Sequence, residues 1–162
     1  MDFVAMGYIY AKQSMRYPNP WDFPHKNTKE QEDKSKATLE YYNLNEIAMG
    51  GPLRGNAKII FIDSKEIQIP STCGGPAIWA QDGSQLAIPI WEKDLFIGVF
   101  QRIGIIDLKN QTLIKYKEKF SILDLRSFKK NFIRGYDSPI HKTKSFKFDC
   151  KNEPIHKTVE LV

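Results

Sequence analysis

The sequence predicts a mainly β protein built from antiparallel strands. Residues 50–162 contain short runs of branched and aromatic residues, and turn signals such as Asp82-Gly83 separate these runs. Aromatic residues make up 12% of the chain, which is enough to supply a packed core. Roughly eight to ten short strands are expected, and their spacing fits a sandwich, a barrel or a twisted open sheet.

The length of 162 residues fits a single domain over residues 1–162. No apolar run approaches the ~18 residues that a membrane-spanning helix needs. The start, Met1-Asp2-Phe3-Val4, has no basic region before its short apolar stretch, so no secretory signal is predicted. We therefore expect a cytoplasmic protein without a membrane partner.

Residues 12–38 are predicted to be irregular and partly mobile. Three prolines between Tyr17 and Pro24 exclude regular structure there, and residues 26–38 are almost wholly polar. Two alternatives remain open for residues 28–48. One is an N-terminal helix, which would make the protein α+β, with Thr28 and Gln31 as a capping box and apolar residues at helical spacing. The other is a loop over 26–37 followed by a strand at Leu39–Met49.

The antiparallel core is predicted over residues 50–162, and three hairpins begin it. Their strands flank Ser64-Lys65, Asp82-Gly83 and the turn at 109–111. At the second hairpin a two-residue turn should give Gly83 a positive φ and place Trp79 opposite Leu86. The predicted strand pairs are Ala57–Asp63 with Glu66–Ile69, Pro76–Ala80 with Gln85–Trp91, and Phe100–Leu108 with Thr112–Tyr116.

The C-terminal part should add a strand at Lys119–Leu125 and a last hairpin. That hairpin pairs Ser145–Asp149 with Ile155–Val162 around a polar turn at 150–152. The pentapeptide Pro-Ile-His-Lys-Thr occurs at 139–143 and again at 154–158. Two copies are too few for a repeat architecture, so we interpret them as two strand starts with the same local chemistry.

The stretch Ile78–Ile88 resembles the hairpin of a TolB-type or WD-repeat propeller blade. It has an aromatic strand, an Asp-Gly turn and an apolar strand, and Ile105–Leu108 stands where such a blade has a later strand. The chain has no second Asp-Gly hairpin, whereas a propeller repeats its motif about every 40 residues. The resemblance therefore implies a local antiparallel hairpin, and not a propeller.

Signals for catalysis or cofactor binding are few. The sequence has no GxSxG, HExxH, P-loop or GxGxxG motif, and its carboxylates are scattered singly. Cys73 and Cys150 are expected as free thiols, and no metal ligand set or cofactor is predicted. In the predicted last hairpin His141 and His156 lie several rungs apart, which argues against a two-histidine ribonuclease site. We predict no catalytic residues and a protein that is not an enzyme.

The excess positive charge lies in the last third of the chain. Residues 116–162 carry eleven basic and six acidic side chains, whereas the whole chain has a net charge of +5. Such a surface suits nucleic acid, an anionic membrane or an acidic protein patch, and a merely solvated sheet face is the simpler alternative. An Asp inside an apolar run, Asp124, is expected to pair with Arg126 or Arg134, or to lie on the solvent face.

Aromatic and Arg side chains without a turn role are the natural anchors for a protein partner. One of Trp79 and Trp91 is expected in the core and the other exposed with Phe96 and Phe100, unless both tryptophans are core residues. The predicted partner-binding residues are Trp21, Trp91, Arg126, Arg134 and Tyr136.

The chain as a whole resembles the small bacterial immunity proteins of contact-dependent and polymorphic toxin systems. The similarity lies in a short chain rich in Lys, Ile and Asn, without catalytic motifs and with many strands. It implies a non-enzymatic protein that binds one toxin domain and blocks its active site or substrate surface. The alternative is a nucleic-acid-binding β domain, which would use the basic last third with stacking by aromatic side chains, namely Phe128, Phe132, Tyr136, Phe146 and Phe148.

Overall fold

A computed structural model describes residues 17–30, 36–140 and 142–161, and this part of the chain is all β. None of its residues forms a helix that could cross a membrane. The thirteen strands are β1 (Lys26–Glu30), β2 (Lys36–Glu46), β3 (Leu53–Phe61), β4 (Glu66–Gln68), β5 (Thr72–Cys73), β6 (Ile78–Trp79), β7 (Gln85–Asp94), β8 (Gly98–Asp107), β9 (Thr112–Tyr116), β10 (Leu123–Lys129), β11 (Phe132–Asp137), β12 (Lys144–Asp149) and β13 (Ile155–Glu160).

Ten strands form one large antiparallel sheet, in the order β1-β2-β3-β5-β7-β8-β9-β13, with β4 beside β3 and β6 beside β7. Within the described residues the sheet does not close into a barrel, and β1 and β13 lie at its two ends. Strands β1–β4 fold over one face of β7–β9. There Leu39 of β2 and Ile59 of β3 share one buried cluster with Leu86, Ile106 and Leu113 of β7, β8 and β9. We call this cluster the first core.

The remaining strands form a small sheet in the order β10-β11-β12, which covers the other face of β7–β9. Its inward side chains, Phe128, Ile133 and Phe148, pack with Ile103 and Ile105 of β8 in a second core. The strands β7 and β8 are therefore buried on both faces. This explains why they are nearly continuous apolar runs, since a strand with one wet face would alternate with polar residues.

The three predicted hairpins of the β core are confirmed. Strands β3 and β4, β6 and β7, and β8 and β9 pair antiparallel. Trp79 lies opposite Leu86, and Gly83 has a φ of 76°, both as predicted. The turn itself differs from the prediction. It is a four-residue loop, in which the Gly83 N–H donates to Ala80 O and Asp82 caps Ser84.

The N-terminal region matches neither alternative in full. Residues 26–30 form a strand, where one alternative expected a loop, and they pair with residues 36–40. The strand β2 covers residues 36–46, close to the predicted 39–49, so the helix hypothesis is wrong over these residues. Thr28 pairs with Thr38 across the two strands instead of capping a helix, and Gln31 lies outside the described residues.

The predicted C-terminal hairpin is wrong. Strand β12 pairs with β11, and β13 pairs with β9, so the two strands lie in different sheets. The physical reason is that they serve different cores. Phe148 packs into the second core, whereas Leu161, just after β13, packs into the first. The strand predicted at Lys119–Leu125 begins later, at Leu123, and only Phe120 bridges to Gln101 before it.

Candidate functional site: a cationic face on the small sheet

The outward face of the small sheet carries a cluster of exposed cations with aromatic side chains between them. Because Phe128, Ile133 and Phe148 face the core, their sequence neighbours face outward. In the register of the sheet, Ser127, Arg134 and Lys147 form one outward row. We use the term cationic face for the outward side chains Arg126, Lys129, Phe132, Arg134, Tyr136 and Lys147.

A β-bulge places Arg126 on this face. The register shifts between Leu125 and Ser127, so Arg126 is the extra residue and its side chain reaches back along the strand. Its Nη2 donates to Oδ2 of Asp124 at 2.7 Å, and the Asp124 side chain is fully buried. This confirms the predicted pairing of Asp124 with Arg126. The buried carboxylate fixes the guanidinium at the surface.

Gly135 allows β10 and β11 to approach closely beneath the face. A Cβ atom built at Gly135 would lie 2.3 Å from the backbone oxygen of Asp124. No side chain fits there without moving the backbone. The glycine thus positions the bulge that carries Arg126 against the strand that carries Arg134 and Tyr136.

Arg126, Arg134 and Tyr136 line one concavity of about 360 Å³, together with Ser145 and Lys147. All five side chains are exposed. Among the described residues Arg134 forms no salt bridge and no side-chain hydrogen bond, so its five donors remain available to a ligand. Planar donors next to a phenol suit a carboxylate or phosphate group.

Phe132 gives the opposite end of the face an aromatic surface. Its ring is half-buried, and Nζ of Lys147 lies 4.3 Å from the ring centroid. Asp149, which lies opposite Phe132 in the sheet, accepts hydrogen bonds from Asn131, Asn152 and the Lys151 N–H. These bonds lower the pKa of Asp149, so it stays ionised but is occupied within its own turn. The face as a whole keeps a positive charge.

Three of the five predicted partner-binding residues therefore meet at one site, and two do not. Trp91 is buried, with its indole N–H donating to Leu53 O at 3.2 Å. Trp79 is buried as well, so the alternative that both are core residues is the right one. Trp21 is half-buried, and its indole N–H donates to Gly50 O at 3.1 Å. Both Trp21 and Trp91 contact segments outside the small sheet.

Sequence reasoning did not select Lys129, Phe132 and Lys147 as protein-binding anchors, although Phe132 belongs to the stacking set of the nucleic-acid alternative. A signal was available in β11, where Phe132, Arg134 and Tyr136 alternate with the buried Ile133 and Gly135. Residues two apart in a strand share a face, so this alternation places the three together. Lys147 is found by the same rule between Phe146 and Phe148.

The stacking set of the nucleic-acid alternative is divided by the fold. Phe128 and Phe148 are buried in the second core, and Phe146 is half-buried against it. Only Tyr136 and the half-buried Phe132 reach the outward face. Fewer bases than expected could therefore stack on this sheet.

The residues considered for catalysis or metal binding do not converge in the described part of the chain. His156 lies exposed in β13, and His141 is outside the described residues. Within residues 17–30, 36–140 and 142–161, no group of three or more His, Cys, Asp or Glu side chains could hold a metal ion. Cys73 and Cys150 are both free. Burial raises the pKa of the Cys73 thiol to about 12, which leaves it protonated and unreactive.

One ion pair lies at the end of the first core. Nε of Arg102, which is 6% exposed, donates to Oε1 of Glu92 at 2.9 Å, and its Nη1 donates to the backbone oxygens of Tyr116 and Lys117. Lys115 Nζ lies 3.5 Å from Oε2 of Glu92. Burial raises the pKa of Glu92, but the hydrogen bond and charge of Arg102 and the charges of Lys115 and His156 outweigh it, so the net shift is downward. Nε and Nη1 of Arg102 are bonded within the fold, and we assign the cluster a structural role.

Comparisons of the chain with protein-family models, with curated proteins and with solved structures found no match.

Proposed function

We propose that the protein is a non-enzymatic binding module that holds an acidic patch of a protein partner on its cationic face. The partner that we favour is a bacterial toxin domain, following the resemblance of the sequence to small immunity proteins. One observation carries the proposal. Arg126, Arg134 and Tyr136 were selected from the sequence as binding anchors, and all three lie exposed around the same concavity.

The composition of the face supports a protein partner. Tyr and Arg are the residue types that most often dominate interface energies, and they do so near the centre of the contact. Arg126 adds an element of preorganisation, because its bond to the buried Asp124 carboxylate holds it before the partner arrives. Less side-chain freedom is then lost on binding. The positive charge predicts a negatively charged contact surface on the toxin domain.

The test is co-expression with candidate toxin domains, starting with any toxin-like chain that is encoded next to this protein, followed by copurification and calorimetry. We expect a stoichiometric complex. If its Kd is nanomolar, Tyr136→Ala and Arg134→Glu should each weaken it by about 2–4 kcal/mol, or at least ~30-fold. Lys109→Glu is the matched control, because it makes the same charge change at an exposed turn between β8 and β9. It should leave the affinity within about threefold.

Raising the salt concentration provides a second measurement. If the cationic face is the contact surface, salt should slow association much more than it speeds dissociation. Retention of RNA through a high-salt wash, without binding to any toxin chain, would reject the proposal. That result would promote the nucleic-acid alternative, for which the four cations of the face and Tyr136 are the supporting observation.

A further inference from the structure

The hairpin between β7 and β8 ends in a tip of exposed apolar side chains. Leu95 and Phe96 are each 96% exposed, and Ile97 and Val99 are exposed as well. We use the term apolar tip for Leu95, Phe96, Ile97 and Val99. The prediction that Phe96 is exposed is confirmed, whereas Phe100, grouped with it, is buried.

Backbone pairing and turn hydrogen bonds hold the apolar tip in a defined conformation. Strands β7 and β8 pair without interruption from Gln85↔Asp107 to Asp94↔Gly98. Oδ1 of Asp94 accepts the Phe96 N–H at 2.7 Å and the Ile97 N–H at 3.1 Å. Gly98 has a φ of 87°, which glycine adopts without strain. These contacts close the turn through the backbone and Asp94.

Because Leu95 and Phe96 are almost fully exposed, their apolar side chains do not stabilise the folded chain. Hairpin turns usually carry Gly, Asn, Asp or Ser, and here Asp94 and Gly98 already supply the turn chemistry. Adjacent apolar side chains held in water are a hazard for solubility, and such patches mark protein or membrane contacts. A ligand for the tip is thus the physical explanation that remains.

The charges around the tip indicate which ligand. Lys93, opposite Val99 in the ladder, is exposed on β7. Lys119 is exposed, with its Nζ 4.9 Å from the ring of Phe100. The hydrogen bonds from the Phe96 and Ile97 N–H groups lower the pKa of Asp94, and the charge of Lys119 adds a smaller effect in the same direction. Two ammonium groups therefore stand just behind the apolar side chains. An apolar end followed by cations matches the depth profile of an anionic bilayer, in which hydrocarbon lies beneath acidic headgroups.

The shape and size of the tip favour a bilayer over a protein. The tip is a convex projection of four side chains, far less than the ~800 Å² per partner of a standard protein interface. A lipid surface needs no complementary pocket and accepts a small insertion of this kind. We propose that the apolar tip inserts into the interfacial region of an anionic phospholipid membrane, with Lys93 and Lys119 contacting the headgroups.

This inference departs from the expectation of no membrane partner. That expectation rested on the absence of a run long enough to span a bilayer, whereas four side chains at a hairpin tip touch the surface without spanning it. The inference is independent of the proposed function. It uses the tip of the β7–β8 hairpin and Lys119, which precedes β10, whereas the cationic face lies on the small sheet.

The experiment is flotation with vesicles of phosphatidylglycerol and phosphatidylcholine in equal parts, compared with phosphatidylcholine alone, at low salt. Wild-type protein should bind the anionic vesicles and bind the neutral ones at least tenfold less. Because two fully exposed apolar side chains are removed, Leu95→Ser/Phe96→Ser should lower the partition coefficient by about 30-fold or more. Lys93→Glu/Lys119→Glu should also weaken binding, and added salt should weaken it further.

The matched control is Met49→Ser/Ile62→Ser, which removes two other apolar side chains that are 83% and 68% exposed. It should bind like wild type. All variants change exposed residues, and unchanged urea midpoints will show that they fold. Four results would overturn the inference: no binding of wild type to anionic vesicles, undiminished binding by Leu95→Ser/Phe96→Ser, equal loss in the control, or a dimer of wild type that Leu95→Ser/Phe96→Ser converts to monomer. The last result would assign the tip to a second copy of the chain.

Discussion

Replacing Glu92 with Gln removes the carboxylate that faces the buried Arg102 guanidinium. Removing one partner of a fully buried ion pair costs about 3–5 kcal/mol, because the other charge stays buried without compensation. The Glu92 side chain is 22% exposed, and Gln can still accept one hydrogen bond from Arg102. We therefore expect Glu92→Gln to lower the free energy of unfolding by about 2–3 kcal/mol.

Urea unfolding at pH 7 measures this change, and the exposed pair Lys58–Glu66 provides the control. Its N–O distance is 3.2 Å, but the Glu66 side chain is 46% exposed. Glu66→Gln should therefore cost less than about 1 kcal/mol. If the two variants lose the same stability, Glu92 does not compensate the buried charge of Arg102, and the reasoning fails.

The pH dependence of Glu92→Gln tests the same interaction from the other side. The folded-state pKa of Glu92 lies below its ordinary value of 4.5. A lowered pKa means that the carboxylate stabilises the folded state above pH 4.5, and that this contribution is lost as the pH falls through the folded-state pKa. The stability gap between wild type and Glu92→Gln should therefore narrow on acidification from pH 7 to below 4.5. A gap that stays constant would exclude ionisation of Glu92 as its origin.

Three further changes test the fold by urea unfolding at pH 7. Gly83→Val forces a branched residue to a positive φ and should cost about 1–3 kcal/mol; a variant as stable as wild type would contradict the turn geometry. Gly135→Ala should cost about 1–3 kcal/mol, because its Cβ would meet the backbone of Asp124, and it should also weaken partner binding. Ile105→Ala empties part of the second core and should cost about 2–5 kcal/mol; a loss below about 1 kcal/mol would show that the small sheet does not pack there.

The parts of the fold that were predicted correctly are those with local causes. The turn around Asp82-Gly83 brings together strands that are adjacent in sequence, so the pairing of Trp79 with Leu86 follows from the turn and the strand pattern. The pairing of β13 with β9 has no such signal. It joins residues 39 to 48 positions apart, from Ile155↔Tyr116 to Glu160↔Thr112. Among the described residues β13 is a polar edge strand, and its exposed residues do not reveal their partner. The partner of β13 is set by which of the two cores buries the apolar residues of each strand.

In the candidate site, too, the residues placed by local strand geometry were predictable and those placed by tertiary packing were not. Arg134 and Tyr136 lie two residues apart in one strand, so strand geometry alone puts them on one face. Placing Arg126 beside them requires the bulge in β10 and the close approach at Gly135, which depend on tertiary packing. Trp91 shows the opposite failure. As a residue type, tryptophan suits an interface as well as arginine or tyrosine does. Whether Trp91 is buried depends on β3, which lies far away in the sequence and accepts its indole N–H at Leu53 O.

The burial of β7 and β8 on both faces has a consequence for how the chain can change in length. Their side chains alternate between the two cores, so inserting or deleting one residue would exchange the contents of both at once. Repacking the side chains of one core alone could not compensate for this exchange. Length variation should therefore be confined to the exposed connections, such as residues 62–65 and 109–111. A library of single-residue insertions, sorted for folded protein, would show β7 and β8 as a gap between tolerant stretches.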